Sequence, residues 1–126
     1  MFIEHIAIYS DNVERLKDFY VKYFGATPGI KYYNIETRFK SYFLSFENGP
    51  RLELMQNPHI DVERPEDCKG LNHFTFKLGS KQAVDDLARR LSDDGQKIRK
   101  GPRLTGDGYY ECCIYDPDYN EIELTE

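Results

Sequence analysis

His5, Glu53, His73 and Glu123 are the residues of this chain best suited to chemistry, and they recur at nearly constant spacing. The two histidines lie 68 residues apart and the two glutamates 70, while His5 to Glu53 spans 48 residues and His73 to Glu123 spans 50. Two imidazoles and two carboxylates form a set of borderline and hard donors. Such a set suits Zn²⁺ or Ni²⁺ first, then Co²⁺, Mn²⁺ or Fe²⁺, and does not suit a thiolate-seeking centre. Two carboxylates converging in a concave site without a cation would repel and lose hydration, at roughly several kcal/mol per buried ion. A single glutamate on a half-solvated strand would be ordinary wet surface. It is the recurrence at matched positions that points to a metal.

The elements that must carry these residues repeat as well. Phe2 to Tyr9 is a β-branched and aromatic run that reads as a strand, with His5 on the face of Ile3, Ala7 and Tyr9. Asp11 and Glu14 have capping-box spacing, Val13, Leu16, Tyr20 and Tyr23 make a helical stripe, and Gly25 is the expected stop. The second half repeats the plan. Leu71 to Leu78 is the strand, Ser80 the N-cap, Val84, Leu87, Ala88 and Leu91 the stripe, and Gly95 the terminator. Each half then closes with an aromatic strand, a turn and a glutamate-bearing strand: Phe39–Phe46 into Arg51–Leu54 across Asn48-Gly49, and Tyr109–Tyr115 into Glu121–Leu124 across Asp116-Pro117. Weaker strands are expected around Lys31–Ile35 and Ile98–Arg103.

The expected fold is therefore α+β: two paired βαβββ modules forming a curved, eight-stranded, mostly antiparallel sheet with the helices on its outer face. The modules cover about 1–57 and 70–126 of one domain, joined by a charged linker over about 58–69. Strict alternation puts Leu52, Leu54, Ile122 and Leu124 toward the helices and all four metal-capable side chains on the opposite, concave face.

Composition narrows the field. A chain of 126 residues is one domain by size, since separate units of about 60 residues are marginal alone. A net charge of −5 without a basic patch excludes a nucleic-acid surface. No stretch resembles a signal peptide or a membrane span, so a cytoplasmic protein is expected. Cys68, Cys112 and Cys113 form neither an even disulfide framework nor a CxxC motif and read as reduced thiols, Cys112 and Cys113 as small buried apolar groups. His59, without a counterpart in the other half, reads as surface. Pocket walls are assigned to Tyr33, Phe39, Tyr42, Met55, Tyr109 and Tyr110, and Arg38, Lys40, Lys100 and Arg103 are available to hold an anionic group.

His5, the helix ending Tyr23-Phe24-Gly25, Arg51-Leu52-Glu53-Leu54, Leu71-Asn72-His73, and the run from Gly108-Tyr109-Tyr110 through Asp116-Pro117-Asp118-Tyr119-Asn120 to Glu123-Leu124 together resemble the vicinal oxygen chelate superfamily. The similarity is to glyoxalase I and its single-domain relatives, and it covers nearly the whole chain. It implies a homodimer with the metal site at the subunit interface and a His/Glu/His/Glu ligand set. Ring-cleaving and fosfomycin-modifying relatives use two histidines and one carboxylate, and antibiotic-sequestering relatives lack the ligands.

Two carboxylates beside a Lewis acid suit proton movement α to a carbonyl. The resemblance casts Glu123 as the leading base, with Glu53 as its near-equivalent partner, and implies a lyase or isomerase acting on a thiol adduct such as the hemithioacetal of methylglyoxal. An acyl-thioester epimerase and a non-catalytic small-molecule binding protein are the alternatives. Glyoxalase I has an arginine four residues after its first histidine to hold glutathione, where this chain has Tyr9. The expected substrate contacts are Tyr9, Arg38, Tyr42, Met55, Arg103 and Tyr109.

Overall fold

The computed structural model describes every residue except 63, 64, 66 and 67. The chain divides into two compact units, Met1–Arg64 and Pro65–Glu126. The linker expected over 58–69 includes the four residues outside the description.

In the first unit, β1 (His5–Tyr9) leads into α1 (Val13–Phe24), followed by β2 (Thr27–Pro28), β3 (Tyr32–Tyr33), β4 (Lys40–Ser45) and β5 (Arg51–Gln56). The sheet order is β1-β5-β4-β2, with β3 also on β4. β1 runs parallel to β5 and the other ladders are antiparallel. The second unit contains β6 (His73–Lys77), α2 (Lys81–Asp93), β7 (Ile98–Leu104), β8 (Tyr110–Tyr115) and β9 (Glu121–Thr125) in the order β6-β9-β8-β7. Again the first strand is parallel to the last. The α+β modules are those expected, in sheets of five and four strands. The additional strand arises because the weak segment after α1 pairs with β4 in two short pieces, 27–28 and 32–33, in place of one strand over 31–35.

Both helices form where apolar spacing and caps agree. Val13, Leu16, Phe19, Tyr20 and Tyr23 are the buried face of α1, and Gly25 ends it at φ 64°. Asn12 caps the helix, accepting from the Arg15 amide at 3.1 Å, where Asp11 was expected. The shift has a local cause: Ser10 Oγ accepts the Asn12 amide at 3.0 Å, and Glu14 turns away to Lys17, Lys31 and Tyr42 and does not close a capping box. In α2, Ser80 caps as expected, accepting from the Ala83 amide at 3.2 Å, over buried Val84, Ala88 and Leu91.

Each core lies between one helix and one sheet face. Leu44, Leu52 and Leu54 pack in the first unit, and Cys112, Ile114, Ile122 and Leu124 in the second, all essentially solvent-free. Burying one such side chain contributes about 1.5–3 kcal/mol. β1 is shorter than the expected strand: it begins at His5, and Met1, Phe2 and Ile3 are exposed. In β7 the register with β8 shifts between Lys100 and Arg103, where Gly101 has φ 91° and a Cβ would lie 2.7 Å from the Glu111 carbonyl oxygen. Only glycine fits there, and the irregularity brings Arg103 opposite Glu111.

Glu14 ties α1 to β4. Its carboxylate accepts from Lys31 at 2.6 Å, Lys17 at 2.9 Å and the Tyr42 hydroxyl at 3.0 Å. The Lys31 bond, then that of Lys17, brings its pKa from 4.5 down to about 2. A carboxylate depressed on folding stabilises the native state above its unfolded pKa and loses that contribution as pH falls through the folded value. The predicted result is a stability loss between about pH 4.5 and 2 that is visibly shallower in Glu14→Gln, checked by urea unfolding across that range.

Candidate functional site

Both candidate histidines are the first residue of their strand, and each lies diagonally across a parallel ladder from its glutamate. His5 is level with Arg51 and Ala7 with Glu53, while His73 is level with Glu121 and Thr75 with Glu123. A two-residue offset keeps both side chains on one face of the sheet, away from the helix. His5 Nε2 stands 3.9 Å from Glu53 Oε2, and His73 Nε2 stands 3.6 Å from Glu123 Oε2.

The residue before each histidine fixes its ring. His5 Nδ1 bonds Glu4 Oε2 at 2.5 Å, and His73 Nδ1 bonds Asn72 Oδ1 at 2.8 Å. An acceptor oxygen there calls for the proton on Nδ1, which leaves the Nε2 lone pair toward the glutamate. That is how an outer hydrogen bond orients an imidazole for a cation. Glu4 also accepts from Arg51 Nε at 2.6 Å, and its pKa is lowered chiefly by the His5 bond, with Arg51 adding to it. The His5 and Phe43 rings stand nearly perpendicular with centroids 5.3 Å apart, and the Arg51 guanidinium lies over the same phenyl, 4.2 Å from its centroid.

Glu123 sits in a different setting from Glu53. Its Oε1 accepts the Thr75 hydroxyl at 3.2 Å. Its pKa is raised, first by burial, then by a hydrogen bond to Glu111 and by that residue's charge; Thr75 and His73 pull the other way. Glu111 is itself buried and held by Arg103 Nη2 at 2.7 Å. Cys113, directly opposite Glu123 across the β8–β9 ladder, completes a group of three ligand atoms within 4.8 Å of one another.

The proposed substrate contacts separate by face. Tyr9 and Met55 share the face of His5 and Glu53 in the first unit. Tyr42 does not: its hydroxyl donates to Glu14 on α1, because its register with Leu54 places it on the helix side. Tyr110 is likewise turned to a helix, donating to Asp85 Oδ1 at 2.6 Å. Both are corrections to the expected walls, and their cause is strand parity. Arg38 lies exposed in the turn before β4 at φ 59°, and Tyr109 is exposed before β8. Arg103 is on the Glu123 side but committed to Glu111. Glu4, Asn72, Thr75, Glu111 and Cys113 were missed by sequence reasoning. A polar acceptor just before each histidine was the available signal for the first two. For Glu111 and Cys113 it was alternation counted back through the Asp116–Asn120 turn.

The sequence profile of the Glyoxalase/Bleomycin resistance protein/Dioxygenase superfamily matches residues 2–124. The uncharacterised Bacillus subtilis protein YwkD is 33% identical over 129 aligned positions, 98% of this chain and 95% of that one. Bacillus subtilis YqjT, also uncharacterised, is 32% identical over 72 residues, so that the match spans 55% of this chain and 56% of that relative. Among solved structures, the trypanothione-dependent glyoxalase I of Leishmania major superposes with a TM-score of 0.80, covering 100% of this chain and 86% of the other. At 20% identity that likeness speaks for the fold alone. No helix among the described residues is long and apolar enough to cross a membrane.

Cys112 and Cys113 alternate across β8, Cys112 toward the core beside Leu124 and Cys113 toward Glu123. Burial, before any neighbouring charge, pushes each thiol up to about 11. Neither is a free thiolate near neutral pH, and Cys68 is more accessible than either. Native protein at pH 8 is expected to take up iodoacetamide at Cys68 well before the β8 pair, all three reacting in denaturant, as read by peptide mass mapping.

Proposed function

Since the chain belongs to the Glyoxalase/Bleomycin resistance protein/Dioxygenase superfamily, we propose that it is a metal-dependent lyase or isomerase of glyoxalase I type. Its reaction moves a proton α to a carbonyl in a small thiol adduct such as the hemithioacetal of methylglyoxal. The observation that carries this reading is the repeated histidine geometry: in each unit Nδ1 is tied to the preceding residue and Nε2 faces that unit's glutamate, at 3.9 and 3.6 Å. Two histidines presented in the same way, each beside a partly buried carboxylate, fit a divalent cation in donor type and orientation.

His5, Glu53, His73 and Glu123 would hold the cation, with the two modules working as one domain in a cytoplasmic homodimer whose subunits share the site. When bound, the metal supplies Lewis acidity at the substrate carbonyl oxygen. Glu123 takes the proton from the carbon that bears the hydroxyl and sulfur and returns it to the former carbonyl carbon, while the hydroxyl proton passes to the ketone oxygen; the thiohemiacetal carbon becomes the thioester carbonyl and the neighbouring ketone becomes an alcohol. Glu123 suits this role because burial, then Glu111, raises its proton affinity, the direction a general base needs. Tyr9 and Met55 would border the substrate on the first unit's side. Tyr9, in place of the arginine of glyoxalase I, supports a thiol carrier other than glutathione.

The test is turnover of methylglyoxal with a panel of thiols, glutathione included, by protein reconstituted with Zn²⁺, Ni²⁺ or Co²⁺. Glu123→Gln is expected to lower kcat by about 10²–10⁴-fold, the usual contribution of a positioned general base. His73→Ala is expected to lose the metal. Metal-loaded wild type that turns over no thiol adduct contradicts the reading; α-proton exchange on acyl thioesters would assign an epimerase, and tight ligand binding without metal a binding protein.

A further inference from the structure

The second unit carries a cluster of which the His/Glu reading uses only Glu123. Cys113 is 8% exposed, its Sγ has no hydrogen-bond partner among the described residues, and it lies within 4.8 Å of a carboxylate oxygen of both Glu111 and Glu123. Each of those carboxylates spends Oε1 on a fixed donor, Arg103 Nη2 at 2.7 Å for Glu111 and the Thr75 hydroxyl at 3.2 Å for Glu123. Glu123 Oε2 faces His73 Nε2 at 3.6 Å. Two adjacent carboxylates, one buried and one partly buried, beside an unpartnered thiol are an unfavourable arrangement unless a proton or a cation sits among them.

We propose that the second unit alone binds a thiophilic divalent cation of the Zn²⁺, Co²⁺ or Cd²⁺ class through Cys113, Glu123 and Glu111, with His73 as the fourth donor. The proposal rests on the reading above in taking Glu123 and His73 as ligands, and because it shares them with that site the two seats are alternatives, never filled together. Ligand atoms around a tetrahedral zinc lie roughly 3.4–3.8 Å apart, given metal–oxygen bonds near 2.0–2.2 Å and metal–sulfur bonds near 2.3 Å. The three atoms here lie within 4.8 Å of one another, so bringing these three together needs only side-chain rotations that move the tips by about 1 Å, while His73, 3.6 Å from Glu123 but outside that group, has further to move. On binding, the S–H bond breaks, its proton leaves to solvent, and the sulfur lone pair forms the metal–sulfur bond. Arg103 remains as the outer partner that orients Glu111 and offsets the surplus negative charge.

The first unit lacks this set. Phe43 is opposite Glu53 where Cys113 is opposite Glu123, and Ser41 is opposite Met55 where Glu111 is opposite Thr125. The Phe43 ring already has Arg51 over it and packs nearly perpendicular to His5. The duplicated scaffold has therefore diverged so that one module presents a soft donor and the other does not.

The test is cobalt titration of the full chain after chelator treatment, under anaerobic conditions near neutral pH, followed by absorption spectroscopy. Wild type is expected to develop a near-ultraviolet sulfur-to-cobalt charge-transfer band together with visible d–d bands. Cys113→Ser should abolish the first and keep the second, with circular dichroism checking the fold. Glu111→Gln should weaken cobalt binding by about 10–100-fold, and a His5→Ala/Glu53→Gln double variant should retain the charge-transfer band. Cobalt binding with d–d bands only in wild type overturns this proposal and leaves the four-residue reading standing, and no cobalt binding at all contradicts both. A charge-transfer band that survives in Cys113→Ser, or is lost with His5 and Glu53, also overturns it.

Discussion

The parallel pairing of the first and last strands of each module is the constraint on which the rest depends. Without the β1–β5 and β6–β9 ladders, His5 and Glu53, or His73 and Glu123, would be separated by the length of a module with nothing to bring them together. Parallel neighbours need a crossover, and α1 or α2 with the strands between supplies it. Alternation then does the sorting: leucines and isoleucines of the last strand go to the helix, and the glutamate between them goes to the other face beside the histidine. The same pairing makes each histidine a strand-opening residue, so the preceding Glu4 or Asn72 is free of strand parity and can turn onto Nδ1.

Much of this was legible in the residues. Helical stripes, the Ser80 cap, the Gly25 stop and the glutamate-bearing hairpins follow from local rules whose causes lie within a few residues, and the structure places each where those rules require. The errors share a different origin. The cap of α1 moved from Asp11 to Asn12 because Ser10 competes for the Asn12 amide and Glu14 is drawn off by Lys31 from 17 residues away. Tyr42 and Tyr110 were assigned to a pocket by type, when parity commits their hydroxyls to helix carboxylates. Arg103 and Glu111 were not recognised as a pair because a β-bulge near Gly101 sets their register, and a bulge is not readable from alternation.

The two modules are alike in backbone plan and unlike in what surrounds the glutamate. Around Glu53 the first offers Phe43, with Arg51 and His5 against its ring, a firm and largely apolar setting. Around Glu123 the second offers Thr75, Cys113 and an Arg103-braced Glu111, a buried and acidic one. The repeat supplies two carboxylates in matched positions, and burial, then Glu111, raises the proton affinity of Glu123; on the proposed reading that is what suits it to act as a base. The superfamily sets the scaffold, whereas the chemistry lies in these few side chains.

The most direct test of the account is a crystal structure of the metal-reconstituted protein with data collected at the metal's absorption edge. The account predicts an anomalous peak within bonding distance of His73 Nε2 and Glu123 in every copy, with His5 and Glu53 completing the shell from the same chain or a second one. An anomalous peak elsewhere, or none at full metal loading with those side chains pointing apart, would contradict it.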